Sequence, residues 1–121
     1  MKDLSGLRVY KLAVEIGELV WNEVHNWEQF AKWTIGKQIV DSADSISSNI
    51  IEGYYRHSSA EKRKFFQYSL ASSKETALWF WKAKERKLVS SKKFLEFKNI
   101  IDNFTPQMIN LILKSKQEKK V

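Results

Sequence analysis

Residues 33–57 read W-T-I-G-K-Q-I-V-D-S-A-D-S-I-S-S-N-I-I-E-G-Y-Y-R-H. Ile35, Ile39, Ala43, Ile46 and Ile50 recur at intervals of four, four, three and four, which lays one apolar stripe along a helix. A second stripe runs beside it: Gln38, Ser42, Ser45, Asn49 and Glu52. Short polar side chains compete with the backbone for hydrogen bonds and fill helix interiors poorly. The density of Ser, Asn and Asp between residues 41 and 49 implies that something other than solvation selects them. Gly53 stands where a left-handed C-cap is expected, a conformation glycine adopts without steric cost. Glu52 lies at the unfavourable end of the helix dipole, so Arg56 is expected to fold back and pair with it.

Working outward, Val9, Ala13, Ile16, Val20 and Val24 form an apolar stripe on a first helix over about residues 4–25, with Glu15, Glu18 and Glu23 facing out and Trp21 flanking the stripe. Residues 26–32 form a connection. There Asn26 is expected to cap a new turn, with Gln29 three residues on, and Trp27 and Phe30 to plug the end of the bundle. The stripe of residues 33–52 is the second helix.

Ser58 followed by Glu61 matches a capping box and opens a third helix, 59–87. Two stripes share it: Phe66, Leu70, Ser73, Ala77 and Phe80, and beside them Phe65, Ser69, Ser72, Thr76 and Trp79. Both are large at the ends and small in the middle, which lets another helix come close. The polar middle of helix two is the natural partner, with Ser45 and Asn49 near Ser72 and Glu75. Such a layer has to be fully paired, because an unsatisfied buried group costs about 1–3 kcal/mol. With Trp79 and Trp81 on different faces, helix three is apolar on more than one side. That fits either a broad core or a subunit interface.

Ser90 or Ser91 caps a fourth helix, 91–113. Its heptad of Phe94, Phe97, Ile101, Phe104, Met108 and Leu111 encloses Pro106, where a kink or break is expected. A basic tail, 114–121, follows. The expectation is an all-α, antiparallel up-and-down four-helix bundle forming one domain over residues 1–121.

Composition narrows the function. A chain of 121 residues holds one core. It has no cysteine, which removes thiolate chemistry and disulfides, and no Glu carries a His three residues later, the spacing of di-metal bundles. Four scattered glycines cannot form a phosphate loop. No cofactor, no metal and no enzymatic activity are expected. No apolar run reaches membrane-spanning length and no signal core opens the chain, so a cytoplasmic protein away from membranes is expected. Residues 1–81 carry ten basic and ten acidic side chains and residues 82–121 carry eleven and four, so the whole net charge of +7 lies in the last third.

The string Q-I-V-D-S-A-D-S-I-S-S-N-I-I-E-G-Y-Y-R resembles the signature of the four helix bundle protein family, also called intervening-sequence proteins because some are encoded in inserts within bacterial large-subunit ribosomal RNA genes. Gln38, Ala43, Ser45, Ile46, Asn49, Ile50, Glu52, Gly53, Tyr54 and Arg56 carry the match. Ser72 and Glu75 in A-S-S-K-E-T resemble the family's third-helix motif, and L-R-V-Y-K-L-A its opening. Asp41 departs from a basic position and Tyr55 from a small one. The resemblance implies a ring-shaped homo-oligomer, a pentamer. A relative, the accessory variability protein of diversity-generating retroelements, implies nucleic acid and a reverse transcriptase as partners. Helical nucleases of the HEPN type have a spaced Arg–His pattern that the adjacent Arg56 and His57 do not match.

The expected function is backbone-directed binding of RNA or DNA by an oligomer, with Lys82, Lys84, Arg86, Lys87, Lys92 and Lys93 around the turn between helices three and four as phosphate contacts. The alternative is a structural or protein-interaction module without a nucleic-acid role. Gln38, Ser45, Asn49, Glu52, Gly53, Arg56, Ser72 and Glu75 are assigned to architecture.

Overall fold

The computed structural model describes residues 7–117, all of whose regular structure is helical. The elements are α1 (Arg8–His25), α2 (Gln29–Ala31), a π turn (Lys32–Gly36), α3 (Lys37–Tyr54), α4 (Ser59–Glu85) and α5 (Ser91–Gln117). From Gln29 to Tyr54 the backbone stays helical through the π turn, so the chain makes four long rods. α1 packs on α3 and α5, and α4 packs on α3 and α5, which closes a four-sided bundle. Ile16, Val20, Ile39, Ile46, Ile50, Phe80, Phe104 and Met108 are fully buried at its centre. Phe80 stacks face to face on Phe97, with ring centroids 4.1 Å apart. Among the described residues no helix is long and apolar enough to cross a membrane. Residue 4, the expected start of helix one, and residues 118–121 of the basic tail lie outside the described residues.

The second rod departs from expectation at its start. It begins at Gln29, not near residue 33, and Glu28 caps it, its carboxylate accepting from the Phe30 and Ala31 amides at 2.9 and 2.8 Å. Asn26 instead closes α1, donating from Nδ2 to the Asn22 carbonyl at 3.1 Å. The buried helical positions Ala31, Ile35, Ile39 and Ala43 are spaced four apart throughout. On an α-helix that spacing drifts by about 40° per step, and one wider π turn absorbs the drift. Trp27, in the connection before the rod, is buried and plugs the bundle, whereas Phe30 is 74% exposed.

Three further expectations are corrected. Gly53 is inside α3, and no described glycine has positive φ. A Cβ at Gly53 would lie 2.7 Å from the Phe66 ring and 3.1 Å from the Lys62 carbonyl. Close approach of α4, not chain reversal, requires the glycine. α5 runs unbroken through Pro106, which excludes the break that was one of the two expected outcomes there. Its proline costs one backbone donor on a half-solvated rod that Phe97, Phe104, Met108 and Ile112 anchor on both sides.

The third correction concerns α4. The inward seam is Phe66, Ser69, Ser73, Thr76, Phe80 and Ala83, at alternating intervals of three and four, and it draws on both expected stripes. Its polar members are satisfied. Ser69 donates across to the Ile46 carbonyl at 2.7 Å, Thr76 and Ser42 hydroxyls are 2.9 Å apart, and Ser73 donates to Leu70 at 2.6 Å. α3 and α4 form the most extensive helix pair because these side chains are small.

Candidate nucleic-acid interface

The α4–α5 turn is built by a Schellman-type reversal. Leu88 N–H reaches the Ala83 carbonyl at 2.9 Å, and Lys87 takes φ 63°, the left-handed conformation usually given to glycine. Ser90 then caps α5, its hydroxyl accepting from Lys93 N–H at 3.1 Å. Six cations thus come from two helix ends and one tight turn.

Their surroundings differ. Lys82 lies over the Trp79 ring at 4.9 Å, and Lys84 over the Phe94 ring at 5.0 Å while also 3.6 Å from Glu85. Lys93 pairs with Glu96 at 2.8 Å. Their mutual hydrogen bond and charge hold the lysine above and the glutamate below their ordinary ranges, and Glu23 of α1 adds to the rise at Lys93. Glu23 therefore places the end of α1 beside this turn. Arg86, Lys87 and Lys92 are exposed and take part in no ion pair among the described residues.

Apart from the buried Gly53, the expected motif residues are half-buried or exposed along the α3–α4 pair. Ser45 and Ser72 are joined hydroxyl to hydroxyl at 2.7 Å, as the spacing of small residues suggested. Asn49 and Glu75 do not join them. Asn49 donates to the Ser45 carbonyl within its own helix at 2.8 Å, and the exposed Glu75 accepts from Trp79 Nε1 at 3.2 Å. The physical reason is register: the seam from Ser69 to Thr76 faces inward, so Glu75 turns to solvent. Arg56 pairs with Glu52 at 2.7 Å, as expected, and also lies 4.5 Å over the Phe65 ring, leaving its buried Nε without an acceptor. Gln38 is exposed.

Ser42 and Ser69, which carry further inter-helix hydroxyl contacts beside Ser45–Ser72, were visible only as members of small-residue stripes. The pairing needed the register of one rod on the other. The described residues contain no cluster of three or more His, Asp or Glu able to hold a metal ion.

A closed bundle of four rods with a hydroxyl-lined α3–α4 seam defines the class: an all-α four-helix bundle protein. The fold matches the crystal structure of a protein of unknown function from the S23 ribosomal protein family of Bacteroides thetaiotaomicron, with TM-score 0.77 and 20% identity, over 86% of this chain and 94% of that one. Residues 5–110 match the model of the 23S rRNA-intervening sequence protein family, and this chain belongs to that family. No curated protein matches it.

Proposed function

We propose that the chain is a non-enzymatic, self-assembling bundle that binds RNA or DNA through the phosphate backbone at the α4–α5 turn. The observation that carries this reading is the trio Arg86, Lys87 and Lys92, exposed on one reversal and in no ion pair among the described residues, in the third of the chain that holds its whole charge excess. Cations so placed gain most from phosphate, because no internal ion pair has to be broken first. A ring of copies would repeat the patch and strengthen its field.

The test is binding of labelled RNA and duplex DNA across a salt series by the parent and by the Arg86→Glu/Lys87→Glu/Lys92→Glu variant. The expected result is steep loss of affinity with salt in the parent. In the variant, affinity falls and the slope on duplex DNA is shallower by about 2–3, near 0.9 per phosphate contact. Equal slopes in parent and variant would refute the assignment of this turn.

A second reading, a protein-interaction module without nucleic acid, has its own observation. Phe65, Tyr68, Ser72, Glu75 and Trp79 recur at three, four, three and four on α4, and none is buried within the single chain. Ser45 of α3 and Arg56 of the α3–α4 connection join this face through Ser72 and Phe65. An apolar and polar face of this length suits contact with another copy.

A further inference from the structure

A second feature lies at the same end of the bundle as the α4–α5 turn. α1, the π turn and the flanking residues of α2 and α3 line an open cleft of about 810 Å³ that includes Trp21 and Trp33. The buried Val24 and Gly36 form its floor, and Lys32 and Lys37 stand at its edge. A Cβ at Gly36 would come within 2.9 Å of Val24, so only glycine lets α1 and the π turn meet this closely beneath the indoles. Trp21 is 56% exposed and Trp33 71%. Two large indoles held open beside a π turn are not explained by the core, and π turns recur at functional sites.

The size and charge of the cleft say what fits. About ten residues line it, well short of the roughly 20–30 residues a side of a stable protein interface. Its volume falls in the range of roughly 300–1,000 Å³ that holds one small group. His25, Lys32 and Lys37 stand against a single acid, Asp41, which Lys37 already holds at 2.9 Å. Exposed indoles with a cationic edge match a planar ring that carries an anion.

We infer that the Trp21–Trp33 cleft stacks an unpaired base of a single-stranded nucleic acid, with Lys32 and Lys37 toward its phosphate. This rests on the nucleic-acid reading above and adds a strand-state preference to it. Duplex DNA keeps its bases stacked inside and engages only the cationic turn. Single strands engage both turn and cleft.

The experiment measures binding of a labelled mixed-sequence single-stranded RNA and of its duplex to the parent, Trp33→Ala, Trp21→Ala and Trp33→Phe, with particle mass determined in the same buffer. Both indoles are more than half exposed, so the alanine variants keep the fold. Each alanine variant is expected to lose single-strand affinity by roughly 5- to 150-fold, the equivalent of one stacked base, with duplex affinity unchanged and Trp33→Phe retaining most of it. Unchanged single-strand affinity in both alanine variants would overturn the stacking site and leave the cationic turn standing. A fall in particle mass with binding intact would also overturn it, by making the cleft a contact between copies. A parent that binds neither form would overturn the nucleic-acid reading itself, and the cleft with it.

Discussion

A methyl group at position 53 has nowhere to go: it would meet the Phe66 ring at 2.7 and 2.8 Å. Gly53→Ala gains helix propensity of up to about 1 kcal/mol but forces the ring and the α3–α4 spacing apart, at a typical overpacking cost of 1–3 kcal/mol, so a net loss of about 1 kcal/mol is expected. A lower midpoint in urea that is partly restored by Gly53→Ala/Phe66→Leu checks it. Position 87 is the converse. Lys87 occupies φ 63°, which costs a residue with a Cβ about 1–2 kcal/mol, less the flexibility glycine adds to the unfolded chain. Lys87→Gly should therefore stabilise by about 0.5–1 kcal/mol, seen as a higher melting temperature, while removing one of the free cations. Both positions mislead a reader of the sequence in the same way. Gly53 occupies an expected C-cap position without the conformation, and Lys87 has the conformation without the expected residue.

At the scale of elements, the α1–α3 contact carries a titratable strain. Partial desolvation of the carboxyl where it leans on Gly17 of α1, and then the nearby Glu18 and Asp41, push Asp44 above its ordinary value of 3.8, although the residue as a whole stays exposed. A carboxyl so raised binds more protons folded than unfolded. Stability accordingly falls as pH rises from 3.8 through the raised value, and the deficit is complete at neutral pH. Asp44→Asn is expected to melt above the parent at pH 7 and level with it below pH 3.8, the ordinary value. Asp44 is solvent-exposed, so screening keeps the gain within about 0.5 kcal/mol. A gain that persists undiminished into acid would show that the charge is not its cause. The rods themselves were legible: their stripes, the Ser58 and Ser90 caps and the Glu52–Arg56 clasp follow from spacing and local chemistry. The π turn was not. A run of apolar residues four apart reads as an ordinary helix until Ala31 and Ile35 have to face the same core as Ile39 and Ala43.

At the scale of the whole molecule, the charge and the outer α3–α4 face decide what the bundle can meet. If that face joins copies, Tyr68→Glu, on a ring 47% exposed, should lower the particle mass by light scattering while helical circular dichroism is unchanged. An unchanged mass would assign the face to another partner. The sequence alone determined the helical class, the number of rods, the family and the gathering of cations near the α4–α5 turn, because helix periodicity, caps and charge are local properties. Tertiary structure alone decided which small residues pair across helices, which motif residues reach solvent, and that two tryptophans from separate elements share one cleft. Those outcomes depend on the register and rotation of one rod against another, which core packing sets and no single helix encodes.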